Sequence, residues 1–310
     1  MSEITLEGLT DEKTRELLPE GSIFLGYRGS HSHGTYIPPS DEAGIDDVDL
    51  MGIFVAPVEH YLGFGREDSY ERWEGHYDCV FYEWKKLIKL LLKSNPNVMG
   101  MLWLRDEHVL YADESWRYLK ENRSVFASKQ AYFSFAGYAR SQFGKMTRIA
   151  KPEPERRRRL KELEAEIKYR KTVKQGDRPF GNESLRQLSI QKMQEEINGL
   201  KGQHGFMGAK RKALVEKHGH DVKNSAHLIR LLRMSIEFLE TGELQVHRPD
   251  ADELIAIKRG EWSLERTRRE AERLFVKAEE AYENSQLPEK PDRQRAEEIC
   301  VRVLRDRLSR

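Results

Sequence analysis

Two aspartates stand on alternate positions at the mouth of an apolar run: Asp47 and Asp49, ahead of Met51, Ile53 and Val55. In an extended strand alternate side chains share a face, so the two carboxylates point the same way, roughly 7 Å apart. Repulsion and desolvation both oppose that placement. Water is a poor remedy if the strand is central. A divalent cation turns the conflict into binding: magnesium takes hard oxygen ligands and keeps waters and substrate phosphates as the others. Two such ions activate a nucleophile and stabilise a leaving group in an in-line displacement; manganese is the substitute. Asp46 falls on the opposite face or in the preceding loop, which sets it apart from the pair.

The stretch before this strand supplies a complementary half. "SIFLGY" (22–27) is short, apolar and bounded by glycines, as a buried strand would be. Gly29-Ser30 follows it. Backbone N–H groups in such a turn cradle phosphates, and the Ser30 hydroxyl adds a donor. Arg28, beside the turn, is a further phosphate contact. A third strand is expected at "HYDCVFY" (76–82), where Asp78 is the natural third carboxylate. Glu83 competes for that role, although it equally suits a helix N-terminus. His31 and His33 read as surface residues or as loop histidines near a phosphate site. Together with His76 and Cys79 they show no compact zinc spacing.

Helical periodicity takes over at Trp84, Leu87, Ile88, Leu91 and Leu92. Asn95 and Pro96 then suit an N-cap and first helical position, with "VMGMLWL" continuing as a buried helix. From about Ala127 onward nearly everything reads helical. The order, strands first and helices after, predicts an α+β fold: a catalytic domain over 1–125 and a helical domain over 126–310. A charged helical hairpin is expected as an insertion at about 150–203. Residues 221–244 form an amphipathic helix stopped by Gly242. On it Lys223, His227 and Arg230 share one face, either as a solvated surface or looking across a cleft at the Gly29-Ser30 turn. Arg140 and Lys145 are the alternatives from the preceding helix.

Charge and cysteines narrow the class. The net charge is +1, so the whole chain is not a polycation. Yet residues 140–175 hold 13 Lys and Arg against 5 Asp and Glu, an excess of eight. Within it, Arg156–Arg159 suits either a solvated helix face or RNA phosphates. Cys79 and Cys300 lie far apart, as expected of a reducing, cytoplasmic setting rather than a disulfide framework. The start "MSEITLEGLTDEK" lacks the apolar core of a signal peptide, and no run reaches membrane-spanning length.

A strand ending in glycine–serine, a loop, and Asp-x-Asp on the next strand resemble the polymerase-beta-type nucleotidyltransferases. "GS…DDVDLMGIFVAP", "KLIKLLLKSNPNVMGMLW" and "VKNSAHLIRLLRMSIEFLETGEL" are similar to the branch associated with RNA repair. The resemblance implies that Gly29 and Ser30 bind a nucleoside triphosphate. It implies that Asp47, Asp49 and Asp78 bind two magnesium ions. Lys223, His227 and Arg230 would neutralise the triphosphate. The implied reaction moves a nucleoside monophosphate to an acceptor hydroxyl, on RNA, and releases pyrophosphate. A protein or small-molecule acceptor, and a non-catalytic nucleotide- or RNA-binding module, are the rival readings. The loop from Thr35 to Ile45 and the basic hairpin depart from the family pattern.

Overall fold

A computed structural model describes residues 11–44, 47–64, 68–74, 77–147, 153–172, 190, 193–194, 196–197 and 209–309. Its contacts divide the chain into two units, Met1–Met146 with Asp221–Arg310, and Thr147–His220.

The first unit holds a five-stranded sheet. Its strands are β1 (Ser22–Tyr27), β2 (Val48–Phe54), β3 (Ser69–Glu74), β4 (Tyr77–Glu83) and β5 (Val109–Ala112), in the order β3-β4-β2-β1-β5. β2 and β4 run parallel, and the other neighbours are antiparallel. The expected strands at 22–27, 47–55 and 76–82 are β1, β2 and β4. The first residue of the third, His76, lies outside the described residues. β3 and β5 were not among the expected strands. β3 is an edge strand of mixed polarity, "SYERWE", and β5 is four residues long.

Both faces of β2 are covered, as its composition requires. Met51 and Ile53 join a large cluster with Trp84, Leu87, Ile88, Leu228 and Phe238. Val48 and Leu50 join a smaller one with Leu17, Leu25, Tyr27, Cys79 and Phe81. Gly52 lies under the Phe81 ring, where a Cβ would collide with it. The large cluster draws on both sides of residue 125 and continues to Ile299 and Val303.

The helices of the first unit are α1 (Asp11–Leu17), α2 (Gly29–Ser32), α3 (Val58–Leu62), α4 (Trp84–Leu91), α5 (Pro96–Met99), α6 (Glu114–Glu121) and α7 (Gln130–Thr147). After the second unit, which contributes α8 (Glu153–Thr172) and α9 (Ala209–His218), come α10 (Val222–Thr241), α11 (Ala251–Lys258), α12 (Leu264–Asn284) and α13 (Arg293–Leu308). α10 begins where Asp221 accepts a hydrogen bond from the Asn224 N–H and ends at Gly242, whose φ of 74° is the left-handed cap expected of it. The "VMGMLWL" segment is buried but is not one helix. α5 starts at the Asn95 cap and gives way to a tighter 3-10 turn over Gly100–Trp103. The three-residue repeat of that turn stacks Met99 and Leu102 on one side, both fully buried.

In the second unit, Leu163 and Ile167 of α8 are buried with Ile190 and Ile197. Arg159 pairs with Glu196 at 2.8 Å. These contacts fit the expected charged hairpin as far as the described residues reach. Among the described residues no helix is long and apolar enough to cross a membrane.

Glu83 closes β4 and caps α4. Its carboxylate accepts from the N–H groups of Lys85 (2.8 Å) and Lys86 (3.0 Å) and from the Tyr61 hydroxyl (2.5 Å), and it is 1% exposed. Replacing Glu83 with Ala is expected to cost about 2 kcal/mol, because two helix donors and a phenol lose their acceptor. A lower urea midpoint measures it, with Glu83→Gln recovering part of the loss.

Candidate functional site

The register of the parallel pair sets Asp49 directly opposite Asp78. Side chains so paired share a face of the sheet. Val48↔Tyr77 and Leu50↔Cys79 flank them on the other face. Asp47 precedes β2 and is exposed; Asp46 lies outside the described residues. Glu83 pairs with Phe54, five positions further along β4 from Asp78, and is occupied as a cap. It stands near His60 and Asp68, whose ligand atoms lie within 4.8 Å of one another and of its own. That group is at the opposite end of β4 from Asp78.

Arg28 ties the two acids together. Its N–H donates to the Asp49 carbonyl at 2.9 Å. Its guanidinium Nη2 lies 3.2 Å from Asp78 Oδ2 and 3.6 Å from Asp49 Oδ1. Arg28, expected at the phosphates, thus faces the carboxylates instead. The reason is local: β1 and β2 are neighbours, so the residue leaving β1 reaches the acids entering β2. Burial pushes the Asp49 carboxyl up from an ordinary 3.8 to about 6; Arg28 and Lys223 oppose that rise, while Asp78 and Asp47 add to it.

The Gly29-Ser30 turn abuts the same carboxylate. Gly29 has φ +65°, and a Cβ there would run into the Asp49 side chain. Only glycine meets both demands at low cost. Ser32 Oγ donates to the Gly29 carbonyl at 3.0 Å and stiffens the turn. The Ser30 hydroxyl oxygen is buried without a hydrogen-bond partner among the described residues.

Across from this turn stands the polar face of α10. Lys223, His227 and Arg230 line a cleft of about 200 Å³ together with Gly29, Ser30 and Asp49. Of the expected nucleotide-binding residues, Arg28 alone does not line it. Arg230 has no carboxylate within ion-pairing distance among the described residues, and its Nη1 lies 3.1 Å from Met234 Sδ. Asp250, which stands near, is engaged by Arg233 (2.5 Å) and Arg248 (2.8 Å). Burial pushes the Arg230 guanidinium down to about 10, and Arg248 adds to the shift.

His33, Thr35 and Lys258 also line the cleft. Lys258 is buried at the end of α11 and donates to the Thr35 carbonyl at 2.7 Å. No spacing linked it to the turn, which is more than two hundred residues away in the chain. Of the two expectations for His31 and His33, surface residue or loop histidine near the turn, His33 meets the second in position, and His31 is buried. The His33 Nδ1 is 2.9 Å from the Val246 carbonyl, and burial, with Arg230 next, holds its ring well below the usual histidine range. His31 is buried, its ring 3.8 Å from that of Tyr36. Cys79 is buried in the smaller apolar cluster. Arg140 is exposed with its guanidinium over the Phe275 ring, and the Lys145 side chain lies outside the described residues.

Within 140–175 the described cations are partly engaged. Arg158 and Arg159 pair with Glu162, Arg159 also with Glu196, and Arg170 with Glu166. The side chains of Arg156 and Arg157 lie outside the described residues.

The raised Asp49 has a measurable consequence. Between about pH 4 and about pH 6 the unfolded chain has lost this proton while the folded chain retains it. Stability contributed by this group therefore falls as pH rises through that window. Asp49→Asn is expected to remove that fall and to raise the unfolding midpoint at pH 7. Urea unfolding of both proteins at a series of pH values checks it.

No curated protein and no solved structure matches the chain. One family model does, over residues 6–302, nearly the whole length. Its description, RNA repair pathway DNA polymerase beta family, agrees with a small mixed sheet followed by helices. The chain belongs to that family of polymerase-beta-type nucleotidyltransferases.

Proposed function

We propose that the protein transfers a nucleoside monophosphate from a nucleoside triphosphate to an acceptor hydroxyl on RNA, releasing pyrophosphate. The observation that carries this reading is one of opposed charge. Asp49 borders a cleft that is also lined by Lys223, Arg230 and Lys258 and by the Gly29-Ser30 turn. A polyphosphate bound to magnesium has the matching pattern of charge.

The donor set suits magnesium. Asp47, Asp49 and Asp78 offer hard oxygen ligands, and the ionised Asp49 is under-compensated by its protein neighbours. These three would hold two ions, with manganese as a substitute. When bound, magnesium supplies neutralisation of the phosphate oxygens and a lower pKa for the attacking hydroxyl. The chain's own groups supply the rest. The buried Ser30 hydroxyl, without a partner among the described residues, suits a phosphate oxygen, as do the backbone N–H groups of the turn. Arg230 offers a charged donor without a competing carboxylate. The Asp78 carboxylate accepts the proton of the acceptor hydroxyl. The new bond forms from that oxygen to the α-phosphorus as the bond from the α-phosphorus to the leaving oxygen breaks. Positioning and charge account for most of such catalysis.

RNA as the acceptor rests on the family's place in RNA repair rather than on residues 140–175, where Arg158, Arg159 and Arg170 are engaged with glutamates.

α-Labelled triphosphates, magnesium and RNA test the reading. Wild type is expected to label RNA, and Asp49→Asn or Asp78→Asn to lose about 100-fold or more in rate. Equal labelling by an Asp47→Asn, Asp49→Asn double variant would overturn the mechanism. Arg230→Ala or Lys223→Ala is expected to raise the KM for the triphosphate about tenfold, since each removes a charged donor. Arg28→Gln removes a cation that faces both acids, so manganese binding, followed by titration calorimetry without nucleotide, is expected to tighten.

A further inference from the structure

We infer that Trp73 is a stacking platform for the base at the reacting end of the acceptor RNA. It is 64% exposed, on a strand whose other members are Ser69, Tyr70, Glu71, Arg72 and Glu74. The ladder register places it directly opposite Asp78, which in turn is opposite Asp49. Trp73, Asp78 and Asp49 therefore form one cross-strand row on a single face. Parity along β3 agrees. Tyr70 belongs to the opposite face, where its ring stacks on Phe81 at 5.0 Å, and Trp73 is three positions on. Neighbouring members of the row stand about 5 Å apart, so the indole is about 10 Å from Asp49.

The direction of the row identifies the ligand. From Asp49 toward β1 lie the Gly29-Ser30 turn and the cationic cleft. From Asp49 toward the sheet edge lie Asp78 and then Trp73. An in-line displacement places the attacking hydroxyl opposite the leaving pyrophosphate. With phosphates on the β1 side, the acceptor enters from the β4–β3 side, over Asp78. There, among the described residues, the row ends at the sheet edge in the exposed indole. An exposed aromatic ring is how proteins hold single-stranded bases without reading their identity. The inference rests on the proposed roles of Asp49 and Asp78.

Two readouts separate it from that proposal. The first uses a single-stranded RNA oligonucleotide ending in 2-aminopurine, with no triphosphate present. Its fluorescence is expected to be quenched by wild type and Trp73→Phe, and not by Trp73→Ala. The second is steady-state transfer. Trp73→Ala is expected to raise the KM for RNA about tenfold, with the KM for the triphosphate unchanged and Trp73→Phe close to wild type. Because the indole is exposed, both variants are expected to unfold at the wild-type urea midpoint. Unchanged quenching and unchanged RNA KM in Trp73→Ala would overturn the inference alone. So would a raised triphosphate KM, which gives the indole to the nucleotide. A change in oligomeric state on gel filtration, with RNA binding intact, would assign it to a contact between copies. Quenching by a wild-type protein that transfers no label would overturn the catalytic proposal and leave the platform standing.

Discussion

Asp49 and Asp78 face each other across the central parallel pair of the sheet, and Arg28 holds them there. Two like charges about 5 Å apart near a protein surface repel by about 3 kcal/mol. A single guanidinium reaching both offsets that repulsion. The Asp49 carboxyl still sits at about 6, because burial raises it by more than Arg28 and Lys223 lower it. The geometry of Arg28 follows from the backbone bond between Arg28 and Asp49 and from the sharp turn at Gly29. Acid row, arginine and glycine turn are thus one mechanical unit. A side chain at position 29 would displace the carboxylate that the neighbouring arginine neutralises.

The other wall of the cleft comes from a distant part of the chain and needs its own support. α10 is anchored by Leu228, Ile229, Leu231 and Leu232 in the large core, which leaves Lys223, His227 and Arg230 for the cleft. Behind it Arg248 is 2% exposed and bound by Glu237 and Asp250. Arg248 donates its backbone N–H to the His33 carbonyl at 3.1 Å, and the Val246 carbonyl meets the His33 ring. The loop after the glycine turn is therefore pinned to the segment following α10. Removing one partner of a buried ion pair costs more than the pair contributes, so Glu237 and Asp250 matter to the cleft without touching it.

What the sequence revealed and what it hid divide along range of interaction. β1, β2, β4 and α10 carry strong local periodicity; the strand ends lie within a residue of expectation, and α10 ends three residues short of 244, at the Gly242 stop. The place of Asp49 at the start of β2 is local, and so was visible; Asp47 precedes the strand. The pairing of Asp49 with Asp78 needed strand order, which only a guess of adjacency supplied. Arg28 illustrates the limit. Its neighbours in sequence are a turn, which suggested phosphate. Its neighbours in space are two acids from other strands, which suggest a counter-ion. Lys258 joins the cleft through packing of α11, and no spacing in the chain encodes that. β3 stayed hidden because an edge strand with one solvated face carries little apolar pattern. Trp73, its most informative residue, was lost with it.

The charge pattern of the cleft also fixes where pH can act. Arg230, at about 10, stays cationic at neutral pH despite burial. His33, held well below its usual range by burial and by Arg230, stays neutral and adds no second cation beside it. The α10 wall of the cleft therefore keeps the charge of Arg230 at neutral pH. Asp49 is different: at about 6 it changes charge just below neutrality. A cation held by Asp49 must displace both a proton and a guanidinium, so acid conditions oppose metal binding at this carboxylate while leaving Arg230 charged. The asymmetry follows from burial. The cleft desolvates a guanidinium that starts far above neutrality and a carboxylate that starts below it, and only the second is carried into the physiological range.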